Sequence, residues 1–177
     1  MKKQSAGILL YKFAGQHAEV LLVHPGGPFW ARKDTGAWSI PKGECAESEE
    51  ALVAAKREFA EELGRPAPDG ELVALGEAKQ SGGKVVRAWA VEADLDVSNI
   101  RSNTFTMEWP PKSGQSQEFP EVDKAAWFSL MAARSKLVKG QRPLLEALAV
   151  RLGETIPPES TDDSAGHADN SGQVSLF

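Results

Sequence analysis

The sequence predicts an α/β domain with a mixed β-sheet held between helical layers. Three observations carry that expectation. Two β-type runs precede one strongly amphipathic helix, two more follow it, and two further helical patterns come after a last short strand. A chain of 177 residues fits one globular domain with a sizeable core plus an appendage.

Each element has its own signal. Residues 4–13 and 19–23 have β composition, with Gln16 and His17 in the turn between them. Residues 25–36 form a Gly- and Pro-rich loop that carries Phe29 and Trp30, and residues 37–40 read as a short strand leading into Pro41-Lys42-Gly43. In the central helix Leu52, Ala55, Phe59 and Leu63 recur at helical period and supply a side to bury. Ser48 is expected as its N-cap, with Glu49 and Glu50 in a first turn whose dipole favours acids. Gly64 closes the helix and Pro66 blocks continuation.

Residues 72–78 and 84–92 read as strands joined by a Ser81-Gly82-Gly83 turn. Residues 99–114 read as irregular and aromatic, with Phe105, Trp109 and Pro110-Pro111. A strand at 125–128 and helices at 129–137 and 142–152 follow. From Gly153 the composition turns to Pro, Ser, Asp and Gly, which cannot bury enough surface to offset ordering entropy. The expected domain is therefore 1–152, with 153–177 a disordered tail whose Val174, Leu176 and Phe177 offer a docking point.

Composition narrows the function. The net charge of −5 argues against a broad nucleic-acid-binding surface, although local cations can still hold a short phosphate chain. Cys45 is the single cysteine, which leaves no disulfide framework and no thiolate metal cluster. Lys2 and Lys3 precede an apolar run of residues 8–11, too short for a signal peptide or a membrane span. The expectation is a cytoplasmic protein that does not engage membranes; the sequence is silent on its oligomeric state.

Chemistry concentrates in residues 43–64, GECAESEEALVAAKREFAEELG. Glu58, Glu61 and Glu62 stand at i, i+3 and i+4 and so share one helical face. Such crowded carboxylates repel unless something positive lies among them, and hard divalent cations take oxygen ligands and bridge carboxylates to phosphates. Acidic amphipathic helices are most often only solvated faces, but Gly43 and Arg57 fall at fitting positions as well. Glu49 has two readings, a first-turn acid or a partner that orients Arg57.

The spacing G-x5-E-x7-R-E-U-x-E-E-x-G, where U is bulky and apolar, resembles the Nudix box. It is filled by Gly43, Glu49, Arg57, Glu58, Phe59, Glu61, Glu62 and Gly64. Seven fixed letters would match by chance in such a chain at odds of roughly one in a million. Arg65 stands where the family usually has an apolar residue, which affects packing more than chemistry. The resemblance covers residues 4–150 and implies an α/β/α sandwich that hydrolyses a nucleoside diphosphate linked to another moiety. It implies Mg²⁺ or Mn²⁺ held by Glu58, Glu61, Glu62 and the Gly43 carbonyl, with Arg57 orienting a carboxylate. Glu61 and Glu62 are thereby also catalytic candidates. Glu121, six residues before Trp127, matches a further ligand or general base in one branch, and Glu118 is its runner-up.

Substrate signals are local. Trp38-Ser39-Ile40-Pro41-Lys42-Gly43 resembles the approach to the box in dinucleoside polyphosphate hydrolases, with Lys42 a cation for extra phosphates. His24, Arg32 and Lys33 are candidates for the same clamp. Trp30, Phe105 and Trp109 lie in loops and are candidate shelves for a base, whereas Trp38 and Trp127 read as core. The expected substrate is a small nucleotide such as diadenosine tetraphosphate. The alternatives are a nucleoside triphosphate, an inositol pyrophosphate, an RNA 5′ end, or an effector bound by a non-catalytic regulator.

Overall fold

The computed structural model describes residues 3–158. Its strands are β1 (Gln4–Ala14), β2 (His17–Pro25), β3 (Lys42–Glu44), β4 (Val73–Lys79), β5 (Val85–Glu92), β6 (Thr104–Glu108), β7 (Ser116–Pro120) and β8 (Val122–Ser129). Its helices are α1 (Ala51–Leu63), α2 (Leu130–Lys136) and α3 (Arg142–Leu152). The main sheet has the order β4-β5-β1-β2-β8, and β3 adds to β1 off this path. Only the central β1–β5 pair is parallel, so the sheet is mixed.

β1 is the spine because its sequence is apolar on both faces. Ser5 through Tyr11 are all buried, as expected of a strand covered on both sides. Alternation sends Ala6, Ile8 and Leu10 toward α1, where Ala54, Ala55, Phe59 and Leu63 meet them. Leu9 and Tyr11 point the other way, toward Leu144, Leu145 and Leu148 of α3. The expected sandwich of a mixed sheet between helical layers is the fold observed.

Several local expectations change. Helix α1 starts at Ala51, not after Ser48, and Ser48 has a left-handed backbone with φ of 63°. Glu49 leaves the first turn because its carboxylate is taken by Arg57 and by the backbone N–H of Ala46. Gly64 does cap the helix, at φ 76°, where its N–H donates to the Ala60 carbonyl. Residues 37–40 make isolated bridges, Val23 to Ser39 and Trp38 to Leu137, rather than a strand. Pro41, which has no N–H to give, directs its carbonyl to the Ile8 N–H.

The segment expected to be irregular holds a hairpin. β6 and β7 pair in a separate two-stranded sheet, and β8 begins at Val122, earlier than expected. Past Gly153, Glu154 accepts from the Ala18 N–H, Ile156 packs on the core and Arg134 donates to the Pro157 carbonyl. The tail expectation for residues 159–177, with Val174, Leu176 and Phe177, lies outside the described residues.

Candidate active site

Arg57 is the centre of the acidic face. Its Nε and Nη2 donate to the two oxygens of Glu49 at 2.9 and 3.1 Å, a two-pronged match that a planar guanidinium makes well. Nη1 donates to Glu58 at 2.8 Å and to Glu61 at 3.1 Å, and Nη2 reaches the Glu44 carbonyl at 3.0 Å. The reading of Glu49 as the partner that orients Arg57 is the one realised. The Arg57 guanidinium, with the Ala46 N–H, holds the Glu49 carboxyl down at about 2.

Glu58 sits against the backbone of Gly43. A Cβ on Gly43 would lie 1.9 Å from the Glu58 carboxyl carbon, so only glycine leaves the carboxylate this seat. Burial pushes the Glu58 carboxyl up, and Arg57 offsets part of that rise. Glu62 turns toward β3, where it accepts from the Lys42 N–H at 3.2 Å. Enclosure by protein raises its carboxyl to about 8, against the pull of the Lys42 ammonium.

The Glu121 carboxylate lies near enough to push both Glu58 and Glu62 further up. A relay of main-chain bonds fixes its place: Asn103 N–H to the Glu61 carbonyl, Glu121 N–H to the Asn103 carbonyl, and Gly26 N–H to the Glu121 carbonyl, at 2.8, 2.8 and 3.0 Å. Glu121, 78 positions downstream of Gly43, is thereby tied to α1 through the Glu61 carbonyl. Glu118 instead stands opposite Thr106 within the hairpin.

Glu121 also borders a cleft of about 430 Å³ whose walls include Gly27, Phe29, Trp30, Phe105 and Met107. The Trp109 ring stands edge-on to Phe29 at 5.6 Å, and the Lys33 ammonium lies 4.9 Å from the Trp30 ring centre. Thus Trp30 and Phe105 face the cleft, Trp109 backs it, and exposed Arg32 does not line it. Phe29 and Met107 had not been singled out. Met107 had a signal in the sequence, its alternation with Phe105 between Thr and Glu; Phe29, in a loop, had none of this kind. His24 is no surface cation; it is 1% exposed beneath the loop. Trp38 is buried, and Trp127 is partly buried with its indole N–H on the Leu95 carbonyl.

The donor set fits a hard divalent cation. Glu49, Glu58, Glu61 and Glu62 face the charges of Arg57 and Lys42, and exposed Glu121 adds a fifth carboxylate at their edge, so negative charge is in excess at half-buried oxygen donors. Among the described residues no three acidic, imidazole or thiol side chains already surround one point. Arg57 draws Glu58 and Glu61 toward itself, and Mg²⁺ in any case tends to combine one or two carboxylates with waters and substrate phosphates.

The fold has many known relatives. A C. elegans Ap4A hydrolase in a binary complex superposes with a TM-score of 0.61 at 19% identity, covering 84% of this chain and 98% of that one. The NUDIX domain of Shewanella oneidensis NrtR, complexed with ADP ribose, gives 0.58 at 18% identity, covering 86% and 89%. RenU, a Nudix hydrolase from M. smegmatis, gives 0.56 at 22% identity, covering 89% of each chain. At such identities these likenesses show the fold alone. No curated protein matches the sequence. Among the described residues no helix is long and apolar enough to cross a membrane. The NUDIX domain model matches residues 1–148, and with the box in place on α1 the chain belongs to the Nudix family, whose members are mostly hydrolases.

Proposed function

We propose that this protein is a divalent-metal-dependent pyrophosphohydrolase of nucleoside diphosphate derivatives, and that its substrate is a dinucleoside polyphosphate such as diadenosine tetraphosphate. The observation that carries the reading is the position of Glu121, which borders both the acidic face of α1 and the aromatic cleft. One nucleotide can therefore lay its base in the cleft while its phosphates reach the carboxylates.

Bound Mg²⁺ or Mn²⁺ would neutralise phosphate oxygens and activate water for attack at phosphorus. Glu58, Glu61, Glu62 and the Gly43 carbonyl are its proposed holders. Arg57 keeps Glu58 and Glu61 aimed, since both accept from the same Nη1. Glu121 is the proposed base for the attacking water, with Glu61 and Glu62 the other catalytic carboxylates. Lys42 and Arg32 contribute cations for the longer phosphate chain. Phe29, Trp30 and Phe105 offer the base a stacking surface, with Trp109 in support. The Ap4A hydrolase shares this fold, and at 19% identity the choice of substrate rests on the site and not on that likeness. The net charge of −5 agrees with a free small nucleotide rather than extended nucleic acid.

A substrate panel tests the reading: dinucleoside polyphosphates, canonical and oxidised triphosphates, ADP-ribose, inositol pyrophosphates and RNA 5′ ends, each with Mg²⁺ and Mn²⁺. Dinucleoside polyphosphates are expected to give the highest kcat/KM, and preference for any other class would sink the substrate choice. Glu61→Gln and Glu62→Gln are expected to lower kcat at least about a hundredfold with the fold intact. Full activity in both would remove the metal assignment.

A further inference from the structure

His24 is a buried polar residue that the proposed chemistry does not use. It ends the regular part of β2, where pairing with β8 shifts register between His24 and Pro25. The ring is 1% exposed and lies edge-on to Trp38 at 5.2 Å. Both nitrogens are engaged. Nε2 donates to the Lys33 carbonyl at 2.6 Å, and Nδ1 faces the Asp123 carboxylate at 2.8 Å. The Lys33 carbonyl can only accept, so Nε2 carries a proton, and the Asp123 carboxylate faces Nδ1.

These two bonds join the two sides of the aromatic cleft. Lys33 closes the loop that carries Phe29 and Trp30, and its ammonium rests over the Trp30 ring. Asp123 lies two residues beyond Glu121 in the same segment. At the other end of the loop, the Gly26 N–H holds the Glu121 carbonyl at 3.0 Å. The loop is thus pinned to residues 121–123 at both its ends, once by backbone and once through the His24 ring. Between the pins, Trp30 N–H donates to the Gly27 carbonyl and Lys33 N–H to the Trp30 carbonyl. Asp34, next in the chain, is held separately by the Trp38 indole N–H and the Lys136 ammonium, so loss of the His24 bond would free Lys33 and Trp30 within the arch rather than the whole loop.

We propose that His24 is a positioning residue for nucleotide recognition: its imidazole latches Lys33 to Asp123 and so fixes the Phe29–Trp30 shelf relative to Glu121. The proposal rests on the reading of the cleft as the base site. A side chain that merely filled the core would be replaceable by an apolar group of like size. A latch is not, because Leu restores volume but neither hydrogen bond. It should act on binding of the base more than on the chemical step, since the acidic face is anchored separately through Arg57 and Asn103.

The test uses the full-length chain with His24→Leu, Asp123→Ala and the conservative Asp123→Asn, which keeps an acceptor oxygen for Nδ1. Steady-state hydrolysis of the best substrate in the panel is measured beside hydrogen exchange of the amides of residues 26–33. His24→Leu and Asp123→Ala are expected to raise KM about tenfold with kcat changed less than about threefold, the loss of one ordered stacking contact. Exchange at Trp30 and Lys33 should quicken in both, and Asp123→Asn should behave as wild type. Unchanged exchange in a folded variant overturns the latch, and faster exchange with unchanged KM overturns its role in recognition. If His24→Leu does not fold, Asp123→Ala decides, since that carboxylate is 35% exposed. If the wild type hydrolyses nothing in the panel, the functional reading falls, and the latch stands or falls on exchange alone.

Discussion

A methyl group on Gly43 would land inside the Glu58 carboxyl group, 2.0 Å from one oxygen and 2.4 Å from the other. Gly43→Ala must therefore push Glu58 off its seat while leaving the sheet intact. A displacement near 1 Å in such a site costs about a hundredfold in rate, so kcat should fall by that order with little change in Tm. Glu62 gives a second expectation at this scale. Its folded value of about 8 stands above the ordinary 4.5 of a carboxyl group. Between those values the folded metal-free protein binds more protons than the unfolded chain, so its stability falls as pH rises through that window. Urea midpoints in chelator should decline from pH 5 to pH 8, and Glu62→Gln should flatten that decline. Glu49 has the opposite sign: held at about 2, it contributes stability above about 4.5 that is lost as pH falls toward 2.

Two elements place these residues. Helix α1 offers its acidic residues rigidly because Ala54, Ala55, Phe59 and Leu63 bury its other side under β1. Its apolar period was legible, but its start was not, because the Glu49 bond to Arg57 forms across the loop and not along it. The β6–β7 hairpin was missed for a related reason. Asn, Ser and two prolines mask a short alternation, and the pairing depends on residues on either side of a loop. Phe105 and Met107 nonetheless make it one wall of the cleft. Replacing residues 104–120 with a short turn should leave the six-stranded sheet folded by circular dichroism. It should raise KM for the nucleotide at least about tenfold, as loss of a stacking wall would.

At the scale of the whole molecule, two clusters of buried side chains on opposite faces of one sheet hold the layers together. On the α3 side a buried polar residue ties the start of that helix to the segment before β3. Gln141 is fully buried, accepts from the Ile40 N–H at 2.9 Å and donates to Ser39 Oγ at 2.9 Å. Gln141→Ala would leave a buried backbone N–H without its partner, a loss of about 1–3 kcal/mol. Thermal or urea unfolding should show that loss, whereas kcat at a temperature where the variant stays folded should not change. Equal stability of variant and wild type would mean that the Ile40 N–H finds another acceptor.

The sequence by itself determined the order of most elements, the apolar spine of β1 and the acidic helix. Those features rest on local periodicity and on spacing within a few turns of chain. The motif from Gly43 to Gly64 carries nearly the whole acidic face proposed to hold metal because an α-helix converts sequence spacing directly into a shared face. Only the tertiary structure decided which carboxylate joins that face from outside, which loops form the cleft, and which two groups His24 joins. Glu121 and Glu118 look alike in sequence, and three residues of separation put one beside Glu58 and the other out in a hairpin. The reason is long-range pairing: Asn103, Glu121 and Gly26 meet through backbone bonds whose partners no local pattern specifies.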